Sequence, residues 1–299
     1  MVHVENATPA PLTDGSAPRI QVSPKAAMTM LHPMRAPLSQ PLHSALQRRT
    51  LLLAALVTRP AAAATWWGQT LSDQPKNFIF GYGSLVNAAS RAMTEGRPVP
   101  AIPARVSAEL GFLRNWSDRS PSGFTALGLR RPHPGEAAQT INGVLYAVEG
   151  TDMARFDARE QGYARLPVPR DMIQPVSWQA LPPTGEIWIY VPKRPGHAPG
   201  EALPLADPEF PLLQSYIDVV VEGALDYGEA YAREVLETTA DWSRYWLNDR
   251  ELARRPWVHD PRAGAIDALL GATAPAAALL VWRMFPERYA IRWSSERGR

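Results

Sequence analysis

Two short stretches hold the residues best suited to chemistry. The first is "NFIFGYGSL", residues 77–85, where an apolar run ends in Gly81-Tyr82-Gly83-Ser84. Glycines on either side of a tyrosine let the backbone turn with φ > 0 at no steric cost. Such a turn can aim successive N–H groups into one concavity that holds an anionic group, such as a carboxylate. A helix that starts there adds its positive end. The alternative is a tight strand-to-helix turn that holds nothing. The run is not a phosphate loop, because the Gly-x-x-x-x-Gly-Lys-Ser/Thr pattern and its lysine are absent.

The second stretch is "FDAREQGY", residues 156–163. Read as part of a helix over 150–163 capped by Thr151, it sets Asp157 and Glu160 three apart on one face. Met153 and Phe156 then turn inward. A carboxylate beside apolar groups has its pKa pushed upward by lost hydration, which suits a general base near neutral pH. The alternative is a solvated helix surface where Asp157 or Glu160 pairs with Arg155 or Arg159. Ser84 raises a further reading, a Ser-His-Asp hydrolase. Leu85 and Val86 follow it, so the Gly-x-Ser-x-Gly spacing of a nucleophile elbow is missing.

Composition narrows the classes. The chain has 299 residues, 45% of them apolar, which is enough for a packed core. Lys plus Arg number 31 against 29 Asp plus Glu, so the formal charge is only +2 and no nucleic-acid footprint stands out. There is no cysteine, which excludes disulfides, thiolate nucleophiles and Cys-ligated zinc. The six histidines are scattered singly, a pattern that argues against a metal site. No apolar run reaches the length of a membrane span.

The elements that must position the two stretches read as follows. Residues 1–75 are a Pro- and Ala-rich leader expected to be disordered. Within it, "QRRTLLLAALVTRPAAAATWW" resembles a secretory or twin-arginine signal over 47–64; the alternative is an Ala-rich linker. Residues 76–200 are the expected catalytic domain, with strands around 77–81, 103–116, 123–132, 141–149, 170–178 and 185–193. A short helix over 87–96 is capped by Asn87 and ended by Gly96. Residues 201–262 read as a helical extension of three pieces, the last being "DWSRYWLNDREL". Residues 263–299 form a tail whose "AALLVWRMF" patch is expected to pack on the domain. Strands outnumber helices without strand-helix alternation, which predicts an α+β fold with a curved or closed sheet.

Taken together, the motifs resemble the gamma-glutamylcyclotransferase-like family. The resemblance rests on Tyr82-Gly83-Ser84-Leu85, on Asn142-Gly143-Val144-Leu145-Tyr146, on Phe156-Asp157-Ala158-Arg159-Glu160 followed by Gly162 and Tyr163, and on "IWIYV" with Tyr190. Phe156 stands where that family often has Leu. The resemblance covers residues 76–195. It implies a mixed β-barrel or curved sheet with flanking helices, and a small-molecule gamma-glutamyl substrate. The substrate's α-amine attacks its own γ-carbonyl and releases 5-oxoproline, with no metal or cofactor. It further implies Glu160 as the proton-transfer group, Tyr82, Gly83, Ser84 and Leu85 around the glutamyl head group, and Tyr163 and Tyr190 as candidate oxyanion donors. A cytoplasmic location goes with it, or a periplasmic one if 47–64 is a working signal. A binding or regulatory protein on the same scaffold is the alternative.

Overall fold

Most of the apolar runs read from the sequence pair into one open six-stranded sheet. The computed structural model describes residues 64–66, 69–71, 75–148, 153–252 and 261–294. Within the stretch read as leader, β1 (Ala64–Trp66) and β2 (Gln69–Leu71) form an antiparallel hairpin. The proposed signal up to residue 63 and the Thr151 cap lie outside the described residues.

The strand that carries the first motif, β3 (Asn77–Gly81), lies inside the main sheet. Its neighbours are β7 (Ile141–Val148), antiparallel, and β10 (Glu186–Pro192), parallel. β4 (Ile102–Val106) and β9 (Ile173–Pro175) extend the sheet beyond β7, and β8 (Tyr163–Pro167) extends it beyond β10. Burial on both faces explains the uninterrupted "FIF". Ile79, Val144 and Tyr146 belong to one core cluster, while Phe78, Phe80 and Leu145 belong to another, the period-two alternation of a strand.

The sheet order ends at β8 and β9, which do not pair, so among the described residues no barrel closes. The expected barrel is corrected on that point. β5 (Leu113–Ser120) and β6 (Phe124–Arg130) pair with each other and with β12 (Thr239–Ala240) in a separate three-stranded sheet. Arg114 on β5 ties that sheet to β7. Fully buried, it donates to Asn142 O (2.7 Å), Asn142 Oδ1 (2.8 Å) and Thr239 Oγ1 (2.9 Å).

Helix α1 (Ala88–Glu95) is bounded as its sequence signals require. The Asn87 side chain accepts from Ser90 N, and Gly96 ends the helix at φ 71°. Asn87 Nδ2 also donates to Glu222 Oε2 (3.1 Å) on α3 (Gln214–Leu225). Asn87→Ala should therefore cost about 1 kcal/mol, read as a fall in Tm of a few degrees; an unchanged Tm would show that the cap is dispensable.

Leu212, Tyr216, Val219 and Val220, the face read from the sequence, are all buried. With α4 (Glu229–Glu237) they cover the face of the sheet that carries Ile79 and Tyr146. The third helical piece is corrected. "DWSRYWLNDREL" contains β13 (Trp246–Leu247) and a single 3₁₀ turn (Arg250–Leu252), because Trp246 is drawn into backbone bonding with distant partners. Its strand pairs with β11 (Leu212–Leu213), and its carbonyl accepts from Met284 N at 3.0 Å. The tail folds into α5 (Ala263–Ala272), α6 (Ala276–Leu279) and α7 (Pro286–Ser294), and Ile266, Leu269 and Ala276 join the main core. The described residues belong to one compact unit. Among the described residues no single helix is long and apolar enough to cross a membrane.

Candidate active site

β3 delivers the chain to Gly81, and the turn then passes through Tyr82 and Gly83 into a one-turn 3₁₀ helix, Ser84–Val86. The expectation that Gly81 and Gly83 use φ > 0 is corrected. Gly81 is still in the strand, and Gly83 has φ −115°. Close approach is the reason for both. A Cβ on Gly81 would lie 2.8 Å from Leu85 Cβ, and one on Gly83 would lie 3.2 Å from Tyr216 Oη. The expected positive helix end is corrected too: α1 starts only at Ala88, and its first turn is served by Asn87. Among the described residues, none accepts a hydrogen bond from the backbone N–H of Gly83, Ser84 or Leu85. Three consecutive donors of this kind suit a carboxylate.

The second stretch comes to this turn from α2 (Met153–Arg159). The helix is shorter than expected, and Glu160 sits in the turn just after it, its N–H still donating to Phe156 O (2.9 Å). Met153 and Phe156 are buried, as their spacing implies. Asp157 and Glu160 have separate surroundings. Asp157 accepts from Tyr190 Oη (2.8 Å) and pairs with Arg165 (2.8 Å). Glu160 pairs with Arg159 Nε at 3.2 Å, and its side chain is only 14% exposed. The same guanidinium donates through Nη2 to Ser84 Oγ (3.0 Å), so Arg159 bridges the two motifs.

All seven residues singled out from the sequence, Tyr82, Gly83, Ser84, Leu85, Glu160, Tyr163 and Tyr190, line one cavity of ≈ 40 Å³. Phe80, Gly81, Leu127 and Tyr216 complete its wall. It adjoins a wider groove of ≈ 510 Å³, which shares Ser84, Glu160, Tyr163 and Tyr216 and adds Asp118, Arg119 and Phe124. Tyr82 Oη donates to Tyr190 O (2.7 Å), which fixes the turn to β10. Tyr190 spends its own hydroxyl on Asp157, and Tyr163 Oη reaches Leu127 O at 3.4 Å. No histidine lines the cavity or the groove, and Ser84 faces a guanidinium, so the serine-nucleophile reading finds no partner there.

Burial raises the Glu160 carboxyl above its ordinary 4.5; the Arg159 guanidinium pulls it back down and the Asp118 carboxylate adds to the rise. Burial also holds the hydroxyls of Tyr82, Tyr146 and Tyr163 well above the ordinary phenol value, with Glu160 contributing to each. The site therefore sets the desolvated Glu160 carboxyl among protonated phenols. Tyr146 was legible only as a strand residue. Its buried hydroxyl has no hydrogen-bond partner among the described residues. Asp118, Tyr216 and Leu127 were also missed, since each comes to the site from an element far away in sequence.

No protein-family model and no curated protein matches the chain. Solved structures do. One titled "Gamma-glutamyl cyclotransferase" is 13% identical, with a TM-score of 0.37 over 53% of this chain and 85% of its own. A yeast structure titled as a gamma-glutamyl cyclotransferase specific to glutathione is 13% identical, with a TM-score of 0.33 over 70% of this chain and 98% of its own. A human structure titled as an uncharacterized protein has a TM-score of 0.38 at 13% identity, over 56% and 90%. Likenesses at these TM-scores carry no inference to the chemistry of this chain.

Proposed function

We propose that this chain is a gamma-glutamyl cyclotransferase. It takes a small gamma-glutamyl substrate, and the substrate's α-amine attacks its own γ-carbonyl. A C–N bond forms within the glutamyl group, the bond to the leaving nitrogen breaks, and 5-oxoproline is released with an amine or peptide. One observation carries the reading: Glu160, shielded from solvent, lines the same small cavity as the Tyr82–Leu85 turn.

The geometry supports a division of labour. The N–H groups of Gly83, Ser84 and Leu85 receive the α-carboxylate. Glu160 takes one proton from the α-ammonium, which frees the amine to attack, and gives it to the leaving nitrogen; the second proton that the ring nitrogen sheds passes to solvent. Holding nitrogen and carbonyl together in a small cavity removes much of the entropic barrier to ring closure. The wider groove receives the leaving group. Arg159 keeps the Glu160 carboxylate aimed toward Ser84. This reading goes with a cytoplasmic location, unless residues 47–64 are removed as a signal; N-terminal sequencing of the mature chain decides.

The test is a panel of gamma-glutamyl dipeptides, amines and glutathione with detection of 5-oxoproline. Product from any of them supports the reading, and tight binding without product would make the chain a binding protein. The pH profile is a second check. Glu160 must be ionised to accept a proton, and its pKa is raised. Rate should therefore fall on the acid side through a pKa above 4.5; a limb at or below that value would remove Glu160 from the role.

A further inference from the structure

Asp118 reaches the groove through a local irregularity. β5 and β6 pair in register until Trp116 meets Leu127; the next pair is Asp118 with Ala126, so Ser117 is an extra residue on β5. Cross-strand partners point to the same face of a sheet, and residues two apart on a regular strand do as well. Without the bulge, Asp118 would share the face of Trp116, which packs edge-on against Tyr216 and Trp242 in the apolar core. With it, Asp118 joins Ala126 and Phe124 on the groove wall. Bulges commonly re-aim one side chain beside a site.

The surroundings of Asp118 lack a cation of their own. Arg119, the next residue, pairs with Asp207 and lies over the Phe210 ring (4.6 Å). Arg159 is engaged by Glu160 and Ser84. Among the described residues no Lys or Arg is within ion-pair distance of Asp118. Burial raises the Asp118 carboxyl above its ordinary 3.8, and the nearby Tyr163 hydroxyl draws it back down. A half-buried carboxylate on a groove wall, with no cation beside it, is matched by a positively charged ligand group.

We propose that Asp118 is a second substrate-binding carboxylate, which holds the α-ammonium of a gamma-glutamyl substrate from the groove side while Glu160 faces it from the cavity. The inference rests on the function proposed above. Glu160 and Asp118 then accept from different N–H groups of one ammonium, and only Glu160 takes the proton away.

The test is calorimetric binding to the full chain carrying Glu160→Gln, which slows turnover by about 10²–10⁴-fold. The probes are gamma-glutamylglycine and glutarylglycine, which differ only in the α-amine. The Glu160→Gln protein should prefer gamma-glutamylglycine by about tenfold or more, the size of one charge-assisted hydrogen bond. Adding Asp118→Asn should abolish that preference and leave the affinity for glutarylglycine unchanged. Asp118→Ser serves as the replacement if the Asn variant does not fold. If the preference survives in the double variant, Asp118 does not hold the ammonium, and the proposed function stands. If the Glu160→Gln protein binds glutarylglycine as tightly as gamma-glutamylglycine, the inference likewise falls alone. If it binds neither probe, both the inference and the function fall.

Discussion

Replacing Glu160 with Gln is expected to lower kcat by about 10²–10⁴-fold, the usual contribution of a positioned acid–base group. Gln keeps the shape and can still accept from Arg159, but it cannot carry a proton from one substrate nitrogen to the other. Affinity for the glutamyl group should change far less, because the Gly83–Leu85 donors are untouched. Stability supplies the control, and its sign is fixed by the direction of the pKa. Glu160 titrates higher in the folded chain than its ordinary 4.5. Its contribution to stability is thus most favourable below 4.5 and is lost as pH rises through the folded value. At pH 7 the Gln variant should melt no earlier than the parent, and any advantage should vanish near pH 4. Turnover close to the parental rate would exclude Glu160 as the proton carrier, whereas early melting at pH 7 would make it a structural group.

Gly143→Ala should damage both the fold and the site through a single added methyl group. Gly143 lies in β7 opposite Ala104 and next to the end of β3. A Cβ there would clash with the Gly81 carbonyl oxygen and lie 2.7 Å from Phe80 Cζ. The Gly143 carbonyl also accepts from Tyr231 Oη, so the backbone is not free to retreat. Overpacking of a tight core costs about 1–3 kcal/mol, and a buried backbone clash belongs at the upper end. The Gly81 oxygen is the atom displaced, so the Tyr82–Leu85 turn should move with it. We expect a Tm lower by several degrees and a kcat/KM that falls together with it. A variant as stable and as active as the parent would show that β3 and β7 can separate at this point.

The candidate site was legible to the extent that it is local. "NFIFGYGSL" shows its strand and turn because a buried strand, a tight approach and a 3₁₀ turn each need particular residues within a few positions. "INGVLYAV" shows β7 by its alternation, and Met153 and Phe156 show the buried side of α2. The glycines were found for the wrong reason: what they provide is room for Leu85 and Tyr216, and no local pattern records a neighbour from α3. Asp118 was invisible because a one-residue bulge inverts the parity of its strand. "DWSRYWLNDREL" read as helix because its aromatics recur at helical spacing, but Trp246 bonds to segments more than thirty residues away on either side. β8 was missed where the helix was carried past Arg159. In each case the deciding partner arrives from elsewhere in the chain.

The bond from Tyr82 Oη to the Tyr190 carbonyl spans 108 residues, and the strands it joins run parallel. Parallel pairing over such a separation closes late in folding, since the loop must be ordered before the contact forms. On a ribosome adding about 5–20 residues per second, the turn would wait roughly 5–20 s for its partner strand to be made. Glu160 itself is made only 30 residues before Tyr190, and until β10 follows it no cavity exists for it to line. The nascent chain is therefore expected to gain its substrate pocket only after β10 has emerged, which makes ligand binding a late reporter of folding.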